Sequence, residues 1–360
     1  MKKFNVGILG ATGAVGQNYA ILLKNHPWFN ITYLAASSRN DGKSYYEALK
    51  NKWFMDEPVP DNMKDIILNN ASNPKNAINN CDFVFSSYES NKEDIQRTEM
   101  EYAKLGIPVV SNNSAHRWTQ DVPMIIPEIN YEHLDLINYQ KENRSFDKGF
   151  VVCKPNCSIQ SFLTPIYALI EKGYNPKKII ATTLQAVSGA GYPGVASLDM
   201  IDNIVPYIGG EEDKTELEPL KVLGKFNNGG IENYSALKIS ATCTRVPVIN
   251  GHTASISLEF DSNKPSFDDI ISIWNDFTSE PQRLNLPFAP KKPIIYLAED
   301  NRPQPRKDRD ADKGMAISVG RLRKCEVFDC KFVGLSHNTI RGAAGGAILT
   351  AELLAAKHYI

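Results

Sequence analysis

Positive charge is not in excess in this 360-residue sequence. Forty Lys and Arg stand against forty-one Asp and Glu, leaving a formal charge of −1. A chain with no basic surplus has little with which to neutralise a phosphodiester backbone, so nucleic acid is not expected as a partner. Cysteine is scarce. The six (Cys81, Cys153, Cys157, Cys243, Cys325 and Cys330) are too few for a disulfide framework and lack the paired CxxC spacing of a zinc site. No metal is expected, and a reducing cytoplasm is the simplest setting. Apolar runs of eighteen or more residues are missing, which argues against a spanning helix and a membrane partner. The opening Met1-Lys2-Lys3 precedes apolar residues, but Gly7, Gly10, Gly13 and Gly16 interrupt them too often for a signal peptide.

The length exceeds one ordinary hydrophobic core and predicts two domains. Phe4 to Leu9 is a short apolar run that ends in Gly10-Ala11-Thr12-Gly13-Ala14-Val15-Gly16, and an amphipathic stretch from Gln17 to Lys24 follows. That is strand, glycine turn, helix. Ile31 to Ala36, Asp82 to Phe85 and Ile107 to Val110 supply further strands around a helix near Lys92 to Leu105, so the first half reads as a doubly wound α/β sheet of the Rossmann type. The Asn-rich stretch from Asn69 to Asn80 reads as a polar loop or frayed helix. From Cys157 to Gly173 apolar residues recur at helical spacing. His252 to Phe260 then alternates, with Ala254, Ile256, Leu258 and Phe260 on one face and Thr253, Ser255, Ser257 and Glu259 on the other. A mixed, largely antiparallel sheet with one wet or partner-covered face fits that pattern. Asn338 to Tyr359 is Ala- and Leu-rich and predicts a closing helix.

Glycines 10, 13 and 16 between strand and helix allow a tight turn, bring amide N–H groups against a pyrophosphate and let helix pack on strand. The candidate cofactor turn is Gly10, Thr12, Gly13, Ala14, Val15 and Gly16. At the end of the second strand, where an NAD site usually carries a carboxylate, the sequence reads Ser37-Ser38-Arg39. Two hydroxyls and a guanidinium suit the 2′-phosphate of NADP.

Cys157 opens the predicted helix, where the positive end of the dipole favours a thiolate, and is the candidate nucleophile. Its own amide and Asn156 are candidate oxyanion donors. Among the histidines, His26, His133 and His358 read as surface groups, and His116 and His337 as structural or motif residues. His252, at the head of the alternating strand, is the candidate proton shuttle.

These segments resemble the aspartate-β-semialdehyde dehydrogenase family, in the branch typical of archaea, fungi and some bacteria. The resemblance runs through Gly10 to Gly16, Ser111 to Arg117, Pro127 to Asn130, Pro155-Asn156-Cys157-Ser158, Gln185 to Gly191, Gly210 to Lys214, Arg245 to His252, Arg302 to Arg306 with Gly320-Arg321, and His337 to Gly345. It implies an NADP-binding domain over 1–156, completed by a C-terminal helix in 338–360, and a catalytic and dimerisation domain over 157–337. The implied reaction is the reductive dephosphorylation of L-aspartyl-4-phosphate through a Cys157 thioester, in the biosynthesis of lysine, methionine, threonine and isoleucine. His252 would act as acid and base, and Gln185 would orient the substrate. Arg245 would hold its α-carboxylate, Glu211 its ammonium, and Arg117, Lys214 and Asn113 the phosphate side. Ser86, Ser87, Ser188, Gly189, Gly191 and Asn338 would flank the cofactor. A homodimer or a tetramer built from dimers is implied. Two alternatives share the same cysteine and cofactor turn: a malonyl-CoA reductase, and an NADP-binding redox sensor without turnover.

Overall fold

The computed structural model describes residues 3–227 and 229–360. The amino-terminal sheet has six parallel strands, β1 (Phe4–Leu9), β2 (Phe29–Ala36), β3 (Leu68–Asn70), β4 (Phe83–Ser86), β5 (Val109–Ser111) and β6 (Val151–Cys153), in the order β3-β2-β1-β4-β5-β6. Both faces are covered, which explains why β4 is buried at every position. Val6, Ile8, Phe83, Phe85, Val110 and Val152 pack with helices α1 (Ala14–Leu23) and the last helix of the chain, whereas Val84, Val109 and Val151 pack with Tyr102 and Ala103 of α2 (Lys92–Lys104). Chain order reverses between β1 and β4, the place where an open parallel sheet leaves a crevice at its strand ends.

The Asn-rich segment runs as turns over 71–80, with a 3₁₀ turn at Pro74–Ala77, as expected, and differs only at its start. Leu68–Asn70 forms the edge strand β3, pairing with Leu34, Ala35 and Ala36 of β2. Ladder bonds are main-chain bonds, and at a sheet edge three residues of poor strand propensity can be held by their neighbour. His26 and His133 also differ from the surface positions expected of them. His26 is buried, with Nδ1 accepting from the amides of Trp28 and Phe29 and Nε2 2.7 Å from Glu352; buried His133 lies between Asn130 and the Gly224 carbonyl.

The second sheet comprises β7 (Pro176–Ala186), β10 (Lys238–Val246), β11 (His252–Phe260), β12 (Ile294–Leu297), β13 (Ile317–Lys324) and β14 (Cys330–Ser336), in the order β10-β7-β11-β14-β13-β12. A small hairpin, β8 (Lys225–Asn227) and β9 (Gly230–Glu232), stands apart. Strands β7 and β10 are parallel, while β11 runs antiparallel to β7 and β14. Every even residue of β11 from His252 to Phe260 is buried. That face packs on α4 (Leu163–Glu171) and α6 (Phe267–Asp276) through Ile166, Leu169, Ile270 and Trp274. Helix α3 (Leu136–Arg144) belongs to the first half, and α5 (Glu211–Val222) lies against β10.

The strand directions set up the site. The carboxyl ends of β7, β10 and β14 and the amino end of β11 share one edge of the second sheet, which brings together Gln185, Arg245, His337 and His252. The chain then closes through a π-turn, Ile340–Ala344, into α7 (Gly345–Ala356), where ten consecutive residues from Gly345 to Leu354 are buried. A helix buried all round lies within a core, and this one packs on the amino-terminal sheet. Arg341, fully buried, ties the closure together with a bidentate pair to Glu128 and a bond to Gln160. Among the described residues, no helix is long and apolar enough to cross a membrane.

Candidate active site

The loop Lys154-Pro155-Asn156-Cys157 follows β6 and is braced by one face of α5. Glu211, Thr215 and Glu218 stand at i, i+4 and i+7, so their side chains project together. Glu218 accepts the Asn156 amide at 2.6 Å and the Arg117 guanidinium at 2.8 Å. Both oxygens of Glu211 accept from the Asn156 side-chain amide at 3.0 Å, and Thr215 meets the Ser158 hydroxyl at 3.2 Å. Asn156 in turn accepts from the amide and hydroxyl of Ser158, turning the chain into its next element.

That element is not the continuous helix expected from Cys157. A 3₁₀ turn, Ser158–Ser161, comes first, and α4 begins at Leu163. The dipole expected to favour a thiolate is therefore short, and burial together with nearby Glu211 pushes the Cys157 thiol up from its ordinary value, against the opposing charges of Lys154, Arg117 and Arg245. Asn156 likewise differs from an open oxyanion donor, since its amide is taken by Glu211.

Cys157 Sγ lies 3.4 Å from His252 Nε2. Gly342 passes directly behind the nucleophile, where a Cβ would come within 2.7 Å of that of Cys157. Around the pair, Gln185 donates to Glu211 at 3.2 Å and Lys214 forms an ion pair with Glu211 at 2.9 Å. Burial and these partners pull the Glu211 carboxyl in opposite directions, and the partners, led by Lys214, hold it below its usual value. Arg117 is buried, with its Nε on the Lys154 carbonyl. Arg245, also buried, donates to the Ala186 carbonyl at 2.9 Å and, among the described residues, makes no ion pair. Gln185, Arg245 and His252 sit behind the cavity wall. Its lining of about 390 Å³ includes Asn113, Arg117, Asn156, Cys157, Ser188, Gly189, Gly191, Glu211, Lys214 and Asn338. Asn338 links three segments, accepting from the Gly251 amide and donating to the Ser188 hydroxyl, each at 2.8 Å.

This cavity adjoins a second cleft, of about 430 Å³, through Ala14, which lines both. Gly10, Thr12, Gly13, Ser37, Arg39 and Ser87 line the cleft, together with Asn40 and Lys52. A Cβ on Gly10, whose φ is +80°, would lie 2.3 Å from the Ser87 carbonyl oxygen, so the turn closes only on glycine. Gly13 caps α1 with no side-chain hydrogen bond, leaving the first helical amides for an anion. Arg39 and Lys52 suit a terminal phosphate, and the one carboxylate in the lining, Glu89, stands beside Gly13 rather than at the end of β2. The donor set thus fits a dinucleotide bearing a 2′-phosphate. Of the other residues expected at the cofactor, Ser188, Gly189, Gly191 and Asn338 line the adjoining Cys157 cavity. Gly16 packs under the turn against the Gly10 carbonyl, Ser38 is exposed outside the lining, Ser86 is buried beneath Asn113, and Val15 lines the Cys157 cavity.

Sequence reasoning missed Glu218, Thr215 and Lys52, as well as Lys154, a buried lysine whose ammonium donates to the Pro155 carbonyl and which burial lowers to about 7. The i, i+4, i+7 spacing of Glu211, Thr215 and Glu218 was the available signal for two of them. No local pattern marks the lysines.

Residues 5–137 match the family model of the semialdehyde dehydrogenase NAD binding domain, and residues 166–341 match that of the semialdehyde dehydrogenase dimerisation domain. The chain is 47% identical over 353 residues to an aspartate-semialdehyde dehydrogenase of Archaeoglobus fulgidus, covering 98% of both sequences. Its identity to the enzyme of that name from Candida albicans is 43% over 366 residues, again covering 98% of each. A crystal structure of the Candida albicans aspartate-semialdehyde dehydrogenase with NADP superimposes with a TM-score of 0.91 at 40% identity, covering 100% of both chains. A Vibrio cholerae structure, at 24% identity and a TM-score of 0.73 over 98% of this chain and 99% of that one, shares the fold. With both halves matched and the nucleophile cavity opening onto a dinucleotide cleft, this chain belongs to the aspartate-semialdehyde dehydrogenase family.

Proposed function

We propose that this chain converts L-aspartyl-4-phosphate to L-aspartate 4-semialdehyde and phosphate through a thioester on Cys157, with NADPH as reductant. The observation that carries the reading is the 3.4 Å approach of Cys157 Sγ to His252 Nε2 beside a cavity bearing both cations and a carboxylate. The cofactor, held by the 10–14 turn with Ser37, Arg39, Lys52 and Ser87, supplies hydride to the thioester. Arg245, lacking an acidic partner, suits the substrate α-carboxylate. Glu211 suits the α-ammonium, which must compete with Lys214 for the same oxygens. Displacement of Lys214 leaves its ammonium free for the phosphate alongside Arg117 and Asn113. Gln185 holds Glu211 in place, and Ser188, Gly189, Gly191 and Asn338 shape the wall where the two cavities meet.

Malonyl-CoA is the lesser fit. Its acyl group has a carboxylate and no ammonium, so nothing in it would draw Glu211 away from Lys214, and the lysine would stay on Glu211 instead of turning to the leaving group. A sensor without turnover has no use for this array. Residues 1–156 with 338–360 are assigned to cofactor binding and 157–337 to catalysis and subunit contact. The assembly is a homodimer or a tetramer of dimers, working in the cytoplasm in lysine, methionine, threonine and isoleucine biosynthesis. The test is NADPH formation from aspartate semialdehyde, phosphate and NADP, with Cys157→Ser expected to abolish turnover while retaining NADPH binding. Turnover with malonyl-CoA alone, or full activity of the serine variant, would overturn the proposal.

A further inference from the structure

Asn113, Ser114, Arg117 and Lys214 line both the Cys157 cavity and a side cavity of about 300 Å³. The guanidinium and the ammonium can only donate, whereas the Asn113 amide can do either, and its neighbours decide which. One of its hydrogens goes to Glu99 Oε1 at 2.9 Å and the other to Ser86 Oγ at 3.2 Å, so Nδ2 has nothing left to offer the cavities. The main-chain N–H of Asn113 donates to Ser111 Oγ at 3.1 Å, and the Ser111 hydroxyl donates to Glu99 Oε1 at 2.7 Å. Oδ1 remains. It has no hydrogen-bond partner among the described residues and is not sealed from solvent, so it is the polar atom that this side chain presents to an incoming molecule. Glu99 holds the amide in this sense from behind. It is fully buried on α2, and the only basic group within 4.0 Å among the described residues is His116, whose ring bonds to Thr119 and the Gln96 carbonyl and which burial lowers to about 4. Burial pushes the Glu99 carboxyl up. Its charge state leaves the arrangement intact, because a proton has room on the unpartnered Oε2 while Oε1 goes on accepting from Ser111 and Asn113. Turning the amide over would set Oδ1 against Oε1, two acceptors with no hydrogen between them.

On the reading of this cavity given above, we infer that inorganic phosphate is recognised as the hydrogen phosphate dianion, its single P–O–H donating to Asn113 Oδ1 while its bare oxygens accept from Arg117 and Lys214. Glu99 is the positioning residue that turns Oδ1 toward it. Hydrogen phosphate and sulfate are tetrahedral dianions of nearly the same size, so cations alone cannot tell them apart. An acceptor can. Sulfate carries no hydrogen at neutral pH, and its oxygen would meet Oδ1 with no proton between them and with water displaced from both. The carboxylates nearby do not serve this purpose. Glu218 is engaged by Arg117 and the Asn156 main chain, and Glu211 by the Asn156 side chain, Gln185 and Lys214. The contact makes and breaks no covalent bond and moves no proton: the hydroxyl is one that the dianion already carries, and the thioester chemistry is unchanged.

The test is protection of Cys157 from iodoacetamide in the full-length protein with NADP bound, with inorganic phosphate or sulfate added at constant ionic strength and labelling read by peptide mass spectrometry. Half-protection should need at least about 100-fold more sulfate than phosphate, since a site built to bond a hydroxyl rejects the analogue that lacks it by large factors. Arsenate, which keeps the hydroxyl, should protect as phosphate does. Asn113→Ala should weaken phosphate about tenfold and bring the two anions within about tenfold of each other. Glu99→Gln, which keeps an oxygen acceptor behind the amide, should retain the preference, and Glu99→Leu should lose it. Sulfate protecting the wild type within about tenfold of phosphate, no protection by phosphate at all, or a full preference surviving in Asn113→Ala would each overturn the inference; a full preference in Glu99→Leu would remove the role of Glu99. A protein that shows the expected preference and yet does not turn over aspartate semialdehyde would instead remove the substrate reading, because protection is read without that substrate.

Discussion

Replacing Glu218 by Ala tests how the nucleophile loop is held. The carboxylate is fully buried and accepts from Arg117 at 2.8 Å and from the Asn156 amide at 2.6 Å. At 2.8 Å and an effective dielectric of about 20, the attraction between unit charges is about 6 kcal/mol, part of which offsets the desolvation of both groups. Deleting only the acid leaves the Arg117 guanidinium buried with the Lys154 and Asn112 carbonyls as its partners. It also orphans the Asn156 N–H. Loss of one partner of a buried pair costs about 3–5 kcal/mol. For cooperative units of about 150–250 residues that corresponds to a fall in melting temperature of roughly 6–20 °C. Differential scanning calorimetry of Glu218→Ala, Arg117→Met and the double variant reads this directly. The single variants should each fall within that range, and the double variant should recover a large part of the loss, because it removes both charges together. A Glu218→Ala protein melting within 2 °C of wild type would refute the view that this carboxylate braces the loop.

Gly189→Ala places a Cβ 2.7 Å from an Arg245 terminal nitrogen; the arginine must leave the Ala186 carbonyl, so KM for aspartate semialdehyde should rise at least about tenfold while melting changes little, and an unchanged KM would contradict the assigned role of Arg245. Removing Arg39 and Lys52 together should weaken NADP roughly 10- to 100-fold, in line with about 1.5–3 kcal/mol for charge-assisted bonds, and leave NAD affinity unaltered, as read by fluorescence titration. Because burial and Glu211 push the Cys157 thiol up, the thiolate fraction in the free protein is small at neutral pH and grows as pH rises. Iodoacetamide labelling of Cys157, followed by peptide mass spectrometry, should accelerate from pH 7 to 9 without levelling off below about pH 8.5; a plateau at pH 7 would show the opposite shift.

Some of this protein is decided within a few neighbouring residues. The strand, glycine turn and helix from Phe4 to Leu23 follow from apolar runs and from a turn that only Gly10 can make, and the alternation from His252 to Phe260 marks a strand with one buried face. Such patterns are legible because steric limits and side-chain periodicity act over short range. The Asn-rich edge strand was not legible, since the neighbouring strand β2 supplies what its own residues lack.

The chemistry of the site depends on contacts that the sequence does not order. Cys157 and His252 are 95 positions apart, and the ring is held by the amide of Ala186, a group that every residue but proline possesses. A helix start at Cys157 suggested a lowered thiol, yet the folded chain sets burial and Glu211 against a shortened 3₁₀ turn, and burial wins. Charge balance, the cofactor turn and the identity of the reactive groups are properties of the sequence. Hydrogen-bond partners, ion-pair partners and local dielectric were decided by the tertiary structure, because each depends on which distant groups are buried together and how much water is excluded.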